Sequence, residues 1–263
     1  MEILGYAATI LMGLSLGVLG GGGSILTVPI LIYFFKMDTL LATTFSLSVV
    51  GSTSFVGASL KALKREVDFK TGLLFALPSF VGVYFTRAFL MPRIPATVLS
   101  IGSWTLTKSS LVILTFALVM LAASYSMLRP KTAKRAQESS PPPYFLIALQ
   151  GLLVGFTTGF VGVGGGFLII PALVILVGMP MVIAIGTSLA IIAANSVVGL
   201  IGDTRTLSQI DLKLLATLSI ISLFGLFIGN RIQVKLPEKQ LKKAFAFLLI
   251  GIGAFILLDH FVF

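Results

Sequence analysis

Residues 13–31 read GLSLGVLGGGGSILTVPIL and residues 155–173 read GFTTGFVGVGGGFLIIPAL, one pattern displaced by a constant 142 positions. Gly13/Gly155, Gly17/Gly159, Gly20/Gly162, Gly22/Gly164, Gly23/Gly165, Leu26/Leu168, Pro29/Pro171 and Leu31/Leu173 coincide without a gap. Four glycines crowd together in each copy, Gly20, Gly21, Gly22 and Gly23 in the first and Gly162, Gly164, Gly165 and Gly166 in the second, inside an otherwise apolar run of helix length. Glycine lacks the Cβ that restricts the backbone and is a poor helix residue, so four together mark a helix break with bare peptide amides. Within a bilayer such a break survives only where it is buried in protein or lines a wet cavity. The two clusters therefore read as the substrate site.

The rest of the chain places those breaks in a membrane. It has 263 residues, 57% of them hydrophobic and 11% charged, and its mean hydropathy is +1.08. A spanning helix needs about 20 apolar residues, and the chain offers a series of such windows. The formal charge of +10 is carried by Lys and Arg in short loops between apolar runs. That is the pattern of membrane topology rather than of a nucleic-acid surface, and no nucleic-acid partner is expected. With no Cys at all, disulfides, thiolate metal sites and Cys nucleophiles are excluded. The apolar N-terminus carries Glu2 in place of a basic region, which argues against a cleaved signal peptide.

In order, the chain opens with an apolar block from Ile3 to Phe35. As one straight helix it would extend about 50 Å against a hydrocarbon thickness of roughly 30 Å, so two pieces meeting at the glycines fit better. A hydroxyl-dotted span follows from Leu40 to Leu63, then a basic loop with Lys61, Lys64, Arg65 and Lys70 around Glu66 and Asp68. Spans are expected at 71–90 and 111–128, separated by an irregular stretch from Met91 to Ser110 that holds the only Trp, Trp104, expected at a membrane interface. Residues 129–143, RPKTAKRAQESSPPP, read as a cytoplasmic linker between a first repeat, 1–128, and a second, 144–263. The second half repeats the plan, with spans at 144–177, 181–201, 212–232 and 244–258. The correspondence also joins Ser46-Leu47 to Ser188-Leu189, Ser54 to Ser196, Gly57 to Gly199 and, after a one-residue shift, Val67-Asp68-Phe69-Lys70 to Ile210-Asp211-Leu212-Lys213.

Loop charge tests whether the copies are parallel or inverted. If each glycine-broken block crosses once, ten Lys and Arg lie on the linker side and nine opposite, which is no bias. If each block instead turns at its glycines and returns, the Arg231–Lys243 group joins the 61–70 loop and the linker, giving thirteen against six. Cytoplasmic loops carry the Lys/Arg excess, so the second arrangement is preferred. It predicts an all-α polytopic protein of two inverted repeats, each a re-entrant helix pair plus three spanning helices, in the plasma membrane with both termini outside.

Gly20–Gly23 with Ser24, and Gly162, Gly164, Gly165 and Gly166, are expected to present unsatisfied N–H groups at the N-termini of half-helices running into Pro29 and Pro171. Such termini carry partial positive charge and receive anions. The competing reading is close helix packing through small residues, which suffices for Gly13/Gly17 and Gly155/Gly159. A second constellation is the hydroxyl-rich start of the next helix, Thr43, Thr44 and Ser46 in one half and Thr187 and Ser188 in the other, with Asn195 beyond. These groups can ligate an oxyanion without a fixed charge, and interhelical hydrogen bonding is the alternative. No ionisable residue is expected near the middle of a span except Arg87, which lies toward an end and is expected to reach the membrane edge. His260, the only histidine, stands beside Asp259 at the extreme C-terminus and is expected at the membrane edge rather than in catalysis. No paired carboxylates, metal cluster or nucleophile-base pair stands in the spans, so neither an enzyme nor a metal or other cofactor is expected.

The duplicated GxxxGxxGxGG…P block, the Thr44–Ser46 and Gly186-Thr187-Ser188 tracts, and the VDFK/IDLK loops resemble the TauE/SafE sulfite exporter family over nearly the whole chain. The resemblance implies a secondary transporter exporting small sulfur-containing anions, sulfite or organosulfonate, with the glycine tips and following Thr/Ser tracts as the matching site positions. Ala190 and Ala194 stand where the first half has Ser48 and Ser52, so the half-sites are chemically unequal. The alternative function is an anion channel or a carrier for another small metabolite anion. The expected partners are the small anion and the lipid bilayer, with a homodimer as the candidate assembly.

Overall fold

A computed structural model describes residues 2–101, 104–128, 144–161, 165–203 and 210–262. The linker, Gly162 and Gly164 lie outside the described residues, as do the side chains of Trp104 and His260.

The glycine-broken blocks fold back on themselves. Helix α1 (Glu2–Leu19) ends where Gly20 takes φ +66°, and α2 (Gly22–Tyr33) begins two residues later. Only glycine adopts that left-handed conformation without strain. The return is close: Gly23 packs on Met12 and Leu16, Gly5 faces Phe34 and Phe35, and the Tyr6 and Phe35 rings meet edge to face at 5.5 Å. The start of α1 and the end of α2 thus sit together, and the 33-residue block is a hairpin rather than one long helix.

Helices α3 (Thr39–Leu63) and α4 (Phe69–Phe85, continuing through a π turn at Thr86–Leu90 to Arg93) complete the inner part of the first half. The stretch expected to be irregular contains a short antiparallel hairpin, β1 (Thr97–Ile101) with β2 (Trp104–Thr107), and leads into α5 (Lys108–Leu128). Pro92 and Pro95 end the helix there, and the β-branched residues that follow suit an extended chain.

The second half repeats this order. Helices α6 (Tyr144–Val161) and α7 (Gly166–Pro171, extended by a π turn at Ala172–Leu176) flank the second break, where Gly165 has φ +74°. Then come α8 (Met181–Gly202), α9 (Leu212–Gln233) and α10 (Glu238–Val262). The duplicated VDFK and IDLK loops have a local cause: Asp68 accepts from the Thr71 amide at the start of α4, and Asp211 accepts from the Lys213 and Leu214 amides at the start of α9. Both are N-caps that satisfy amides the helix itself leaves open.

Packing between the halves is reciprocal. Gly13 of α1 lies on the Ser222 carbonyl of α9 and Gly17 on Leu226, while Gly155 of α6 lies on the Ser79 carbonyl of α4 and Gly159 on Val83. Within each of these pairs the helices run parallel. The equivalent helices α3 and α8 pack with Thr44 beside Asp203, Gly51 beside Ser196 and Gly57 beside Leu189, so they run antiparallel. Helices α5 and α10 do the same, with Ser124 bonded to the Ala246 carbonyl and Gly253 against Leu121 and Ala117. Each hairpin is therefore clamped by a helix of the other half.

Seven helices among the described residues are long and apolar enough to cross a membrane. Phe55, Leu77, Leu118, Phe224 and Phe247 are all more than half exposed on their outer faces. A solvated surface would not carry so many large apolar side chains, and lipid provides their partner. The interior is closed around Leu16, Leu31, Leu47, Phe75, Phe167 and Phe245. Apart from the small hairpin the described elements are all α-helical, and the protein is polytopic, as its composition requires.

Candidate functional site

The two tips meet at the centre. A Cβ on Gly21 would lie 2.0 Å from the Gly166 carbonyl carbon, so here backbone touches backbone. Ile192 of α8 covers Gly166, between Leu189 and Ser196, where α8 packs on Gly57 and Gly51 of α3. Gly20 lies against Ile185, Ile170 and the hydroxyl of Ser188. The amides of Gly22 and Gly23 open α2, and Gly165 and Gly166 open α7, so two helix N-termini are directed into the interior. The first amides of a helix have no partner within it, and they carry the positive end of its dipole.

The candidate hydroxyls separate into two groups. Ser24 is fully buried and donates to the Gly21 carbonyl at 2.7 Å, which leaves its oxygen free to accept but not its proton free to donate. Ser188 donates to the Ile185 carbonyl at 2.8 Å. Ser46, its counterpart on α3, is fully buried, and its hydroxyl has no partner among the described residues. These three serines and the described tip glycines, Gly20–Gly23, Gly165 and Gly166, are the core candidates.

Thr44, Thr187 and Asn195 are occupied by other contacts. Thr187 accepts from the Asp68 amide at 2.9 Å and ties α8 to the start of α4. Asn195 donates to Ser79 at 2.8 Å and can accept from the same hydroxyl. Thr44 donates to Asp203 at 2.6 Å.

That last bond leads to a cluster that sequence reasoning missed. Arg87, expected to reach the membrane edge, is only 3% exposed. Its guanidinium turns inward from the π turn and pairs with Asp203 at 3.0 Å, with Thr43 at 3.3 Å and Thr44 at 3.4 Å. The correction has a plain cause: Asp203, at the end of α8, supplies a buried counter-charge, so the long side chain need not seek water. Lys108 donates to the Met91 carbonyl at 2.5 Å and lies within electrostatic reach of both Arg87 and Asp203.

A second buried cation stands at the far end of the α3–α8 pair. Lys61, 2% exposed, donates to Glu66 at 2.6 Å and to the Gln233 side-chain oxygen. Lys61 and Asp203 are equivalent positions, 142 residues apart. The repeat alone could have drawn attention to them, because it sets a lone base at the end of one hydroxyl-dotted helix against a lone acid at the end of its copy. Among the described residues no group of three or more His, Cys, Asp or Glu is placed to hold a metal.

Comparison with known proteins agrees with this architecture. A family model described as sulfite exporter TauE/SafE matches residues 5–256. A probable membrane transporter protein of Xylella fastidiosa is 31% identical over 199 residues, which cover 74% of this chain and 71% of that protein. One from Methanocaldococcus jannaschii is 26% identical over 266 residues, 95% of this chain and 94% of its own. The probable membrane transporter protein YunE of Bacillus subtilis is 24% identical over 273 residues, with 95% and 96% covered. No solved structure matches the chain.

Proposed function

Because this chain belongs to the TauE/SafE sulfite exporter family, and is therefore a multi-pass membrane transporter, we propose that it exports a small sulfur-containing oxyanion, sulfite or an organosulfonate, across the plasma membrane. The anion is held between the glycine tips by the N-terminal amides of α2 and α7 and by the Ser46 hydroxyl, joined by Ser188 when its proton turns from the Ile185 carbonyl to the anion. The observation that carries this reading is the meeting of two helix N-termini through Gly21 and Gly166 in a buried centre flanked by serines. Peptide dipoles and hydroxyls stabilise an anion in a low-dielectric interior without fixing a cation there, which lets the anion leave again.

Access alternates between the two ends as one repeat moves against the other. Supporting this are the antiparallel pairing of equivalent helices α3 and α8, and polar closures at opposite ends of that pair, Arg87–Asp203–Thr44 at one and Lys61–Glu66–Gln233 at the other. The Lys61–Gln233 bond also joins the 61–70 loop to the start of the 231–243 basic group, the grouping that makes the Lys/Arg excess one-sided. That side is cytoplasmic by the charge rule, which sets both termini outside.

The test is flux in proteoliposomes with sulfite, sulfate, thiosulfate and an organosulfonate, with and without a pH gradient. A carrier saturates and exchanges labelled for unlabelled sulfite. Linear flux without exchange would make the protein a channel, and a preference for a carboxylate metabolite over every sulfur anion would replace the substrate.

A further inference from the structure

Arg87 has more hydrogen-bonding capacity than its surroundings use. All its bonds to Asp203, Thr43 and Thr44 are made by Nη1. Nε and Nη2 are buried and have no partner among the described residues. These two N–H groups lie on one edge of the planar guanidinium and point the same way, the fork that grips two oxygens of a carboxylate, phosphate or sulfur oxyanion. A buried guanidinium with three of its five N–H donors unmet is costly, and proteins rarely leave such groups without a partner of some kind.

The local charge agrees with the geometry. Arg87 pairs with the Asp203 carboxylate and Lys108, held on the Met91 carbonyl, lies within electrostatic reach of that pair, so among the described residues the cluster has one positive charge in excess. Thr44 donates to the same carboxylate oxygen, Oδ2, that receives Nη1. Asp203 is thus drawn to one edge of the guanidinium, which leaves the other edge to a ligand.

We propose that the Nε–Nη2 edge of Arg87 is a second oxyanion site, at the end of the molecule where α4 and α8 finish, taking a small ligand that presents two oxygens, such as sulfite, sulfate or a sulfonate. It rests on the transport reading above and adds a place where the anion is held before or after it occupies the tips. Asp203 is the resident anion on one edge and keeps the site from binding irreversibly, since a guanidinium already shared with a carboxylate holds a second anion less tightly.

The experiment compares wild-type protein with Arg87→Lys, which keeps the charge and the pairing with Asp203 but has no fork. The readouts are sulfite flux in proteoliposomes and sulfite binding by calorimetry in detergent. The expected result is a tenfold or greater rise in KM and Kd with kcat changed less than threefold and the thermal midpoint kept. Unchanged KM and Kd would overturn the proposal and leave Arg87 a structural partner of Asp203. Should Arg87→Lys fail to fold, the neutral pair Arg87→Gln with Asp203→Asn replaces it, with the same loss of affinity expected and the same overturning outcome. In a further arm, phosphatidylglycerol is titrated into delipidated protein. Sulfite affinity is expected to stay constant, and competition by the lipid would assign the fork to a headgroup phosphate instead. Wild-type protein that moves no sulfur anion would refute the transport reading, whereas wild-type transport with an unaltered Arg87→Lys KM refutes only the second site.

Discussion

Replacing Gly21 by alanine adds a single methyl group at the point where the two tips touch. Gly21 has φ −62°, which alanine adopts freely, so the substitution isolates contact from backbone strain. The new Cβ would sit 2.0 Å from the Gly166 carbonyl carbon and 2.1 Å from its oxygen. Ordinary carbon contacts begin at about 3.4 Å, so the tips must part by roughly 1.4 Å. Both obstructing atoms are backbone, and no rotamer change can absorb them. Overpacking of this kind costs about 1–3 kcal/mol. Gly251 of α10 is the control, since nothing lies within 4 Å of a Cβ there and alanine improves helix propensity by up to about 1 kcal/mol. Thermal unfolding in detergent should show Gly21→Ala falling several degrees below wild type and Gly251→Ala level with it or above. Sulfite flux should drop with Gly21→Ala because the tips no longer close. Equal midpoints and equal flux for the two variants would refute the tip contact.

Ser46→Ala should leave the thermal midpoint unchanged or higher, because it removes a buried hydroxyl without a protein partner worth about 1 kcal/mol in desolvation, while KM for sulfite rises severalfold; an unchanged KM would remove Ser46 from the site. Ser79→Ala and Asn195→Ala, taken through a double-mutant cycle of unfolding, should show a coupling of about 0.6–1.7 kcal/mol with substrate affinity unaltered, and a change in KM would return Asn195 to the site. Lys61→Met should destabilise by about 1–3 kcal/mol through the Gln233 oxygen and the Glu66 carboxylate left behind, and adding Gln233→Leu should recover part of the loss; a midpoint unchanged by Lys61→Met would mean this closure holds nothing. In the Cys-free background, impermeant thiol reagent outside intact cells should label Lys213→Cys and not Lys239→Cys, and the reverse pattern would invert the proposed orientation.

The features legible in the sequence were those written locally or twice. The hairpin at Gly20–Gly23 follows from a helix too long for the bilayer and four residues that break it, and the Asp68 and Asp211 caps appear as a repeated loop motif. The packing role of Gly13, Gly17, Gly155 and Gly159 also follows from their spacing, and each meets backbone of the other half. The ion pairs could not be read this way, because Arg87 and Asp203 are 116 residues apart and an isolated arginine near a span end ordinarily has water to turn to. Thr187 and Asn195 show a similar limit: hydroxyl and amide groups serve a ligand or a neighbouring helix equally well, and the structure adds that one contact of each goes to a neighbour, the Asp68 amide and Ser79. The β1–β2 hairpin lay in a stretch whose prolines announced the end of a helix without saying what came next.

The most direct test of bare peptide donors as the anion's ligands is amide hydrogen exchange in proteoliposomes, followed by mass spectrometry on peptides covering residues 16–28 and 165–177, with and without saturating sulfite. Slower exchange in both peptides with sulfite, and no change in α9, is the predicted result. Identical exchange at both tips under conditions where sulfite is transported would show that the anion is held elsewhere.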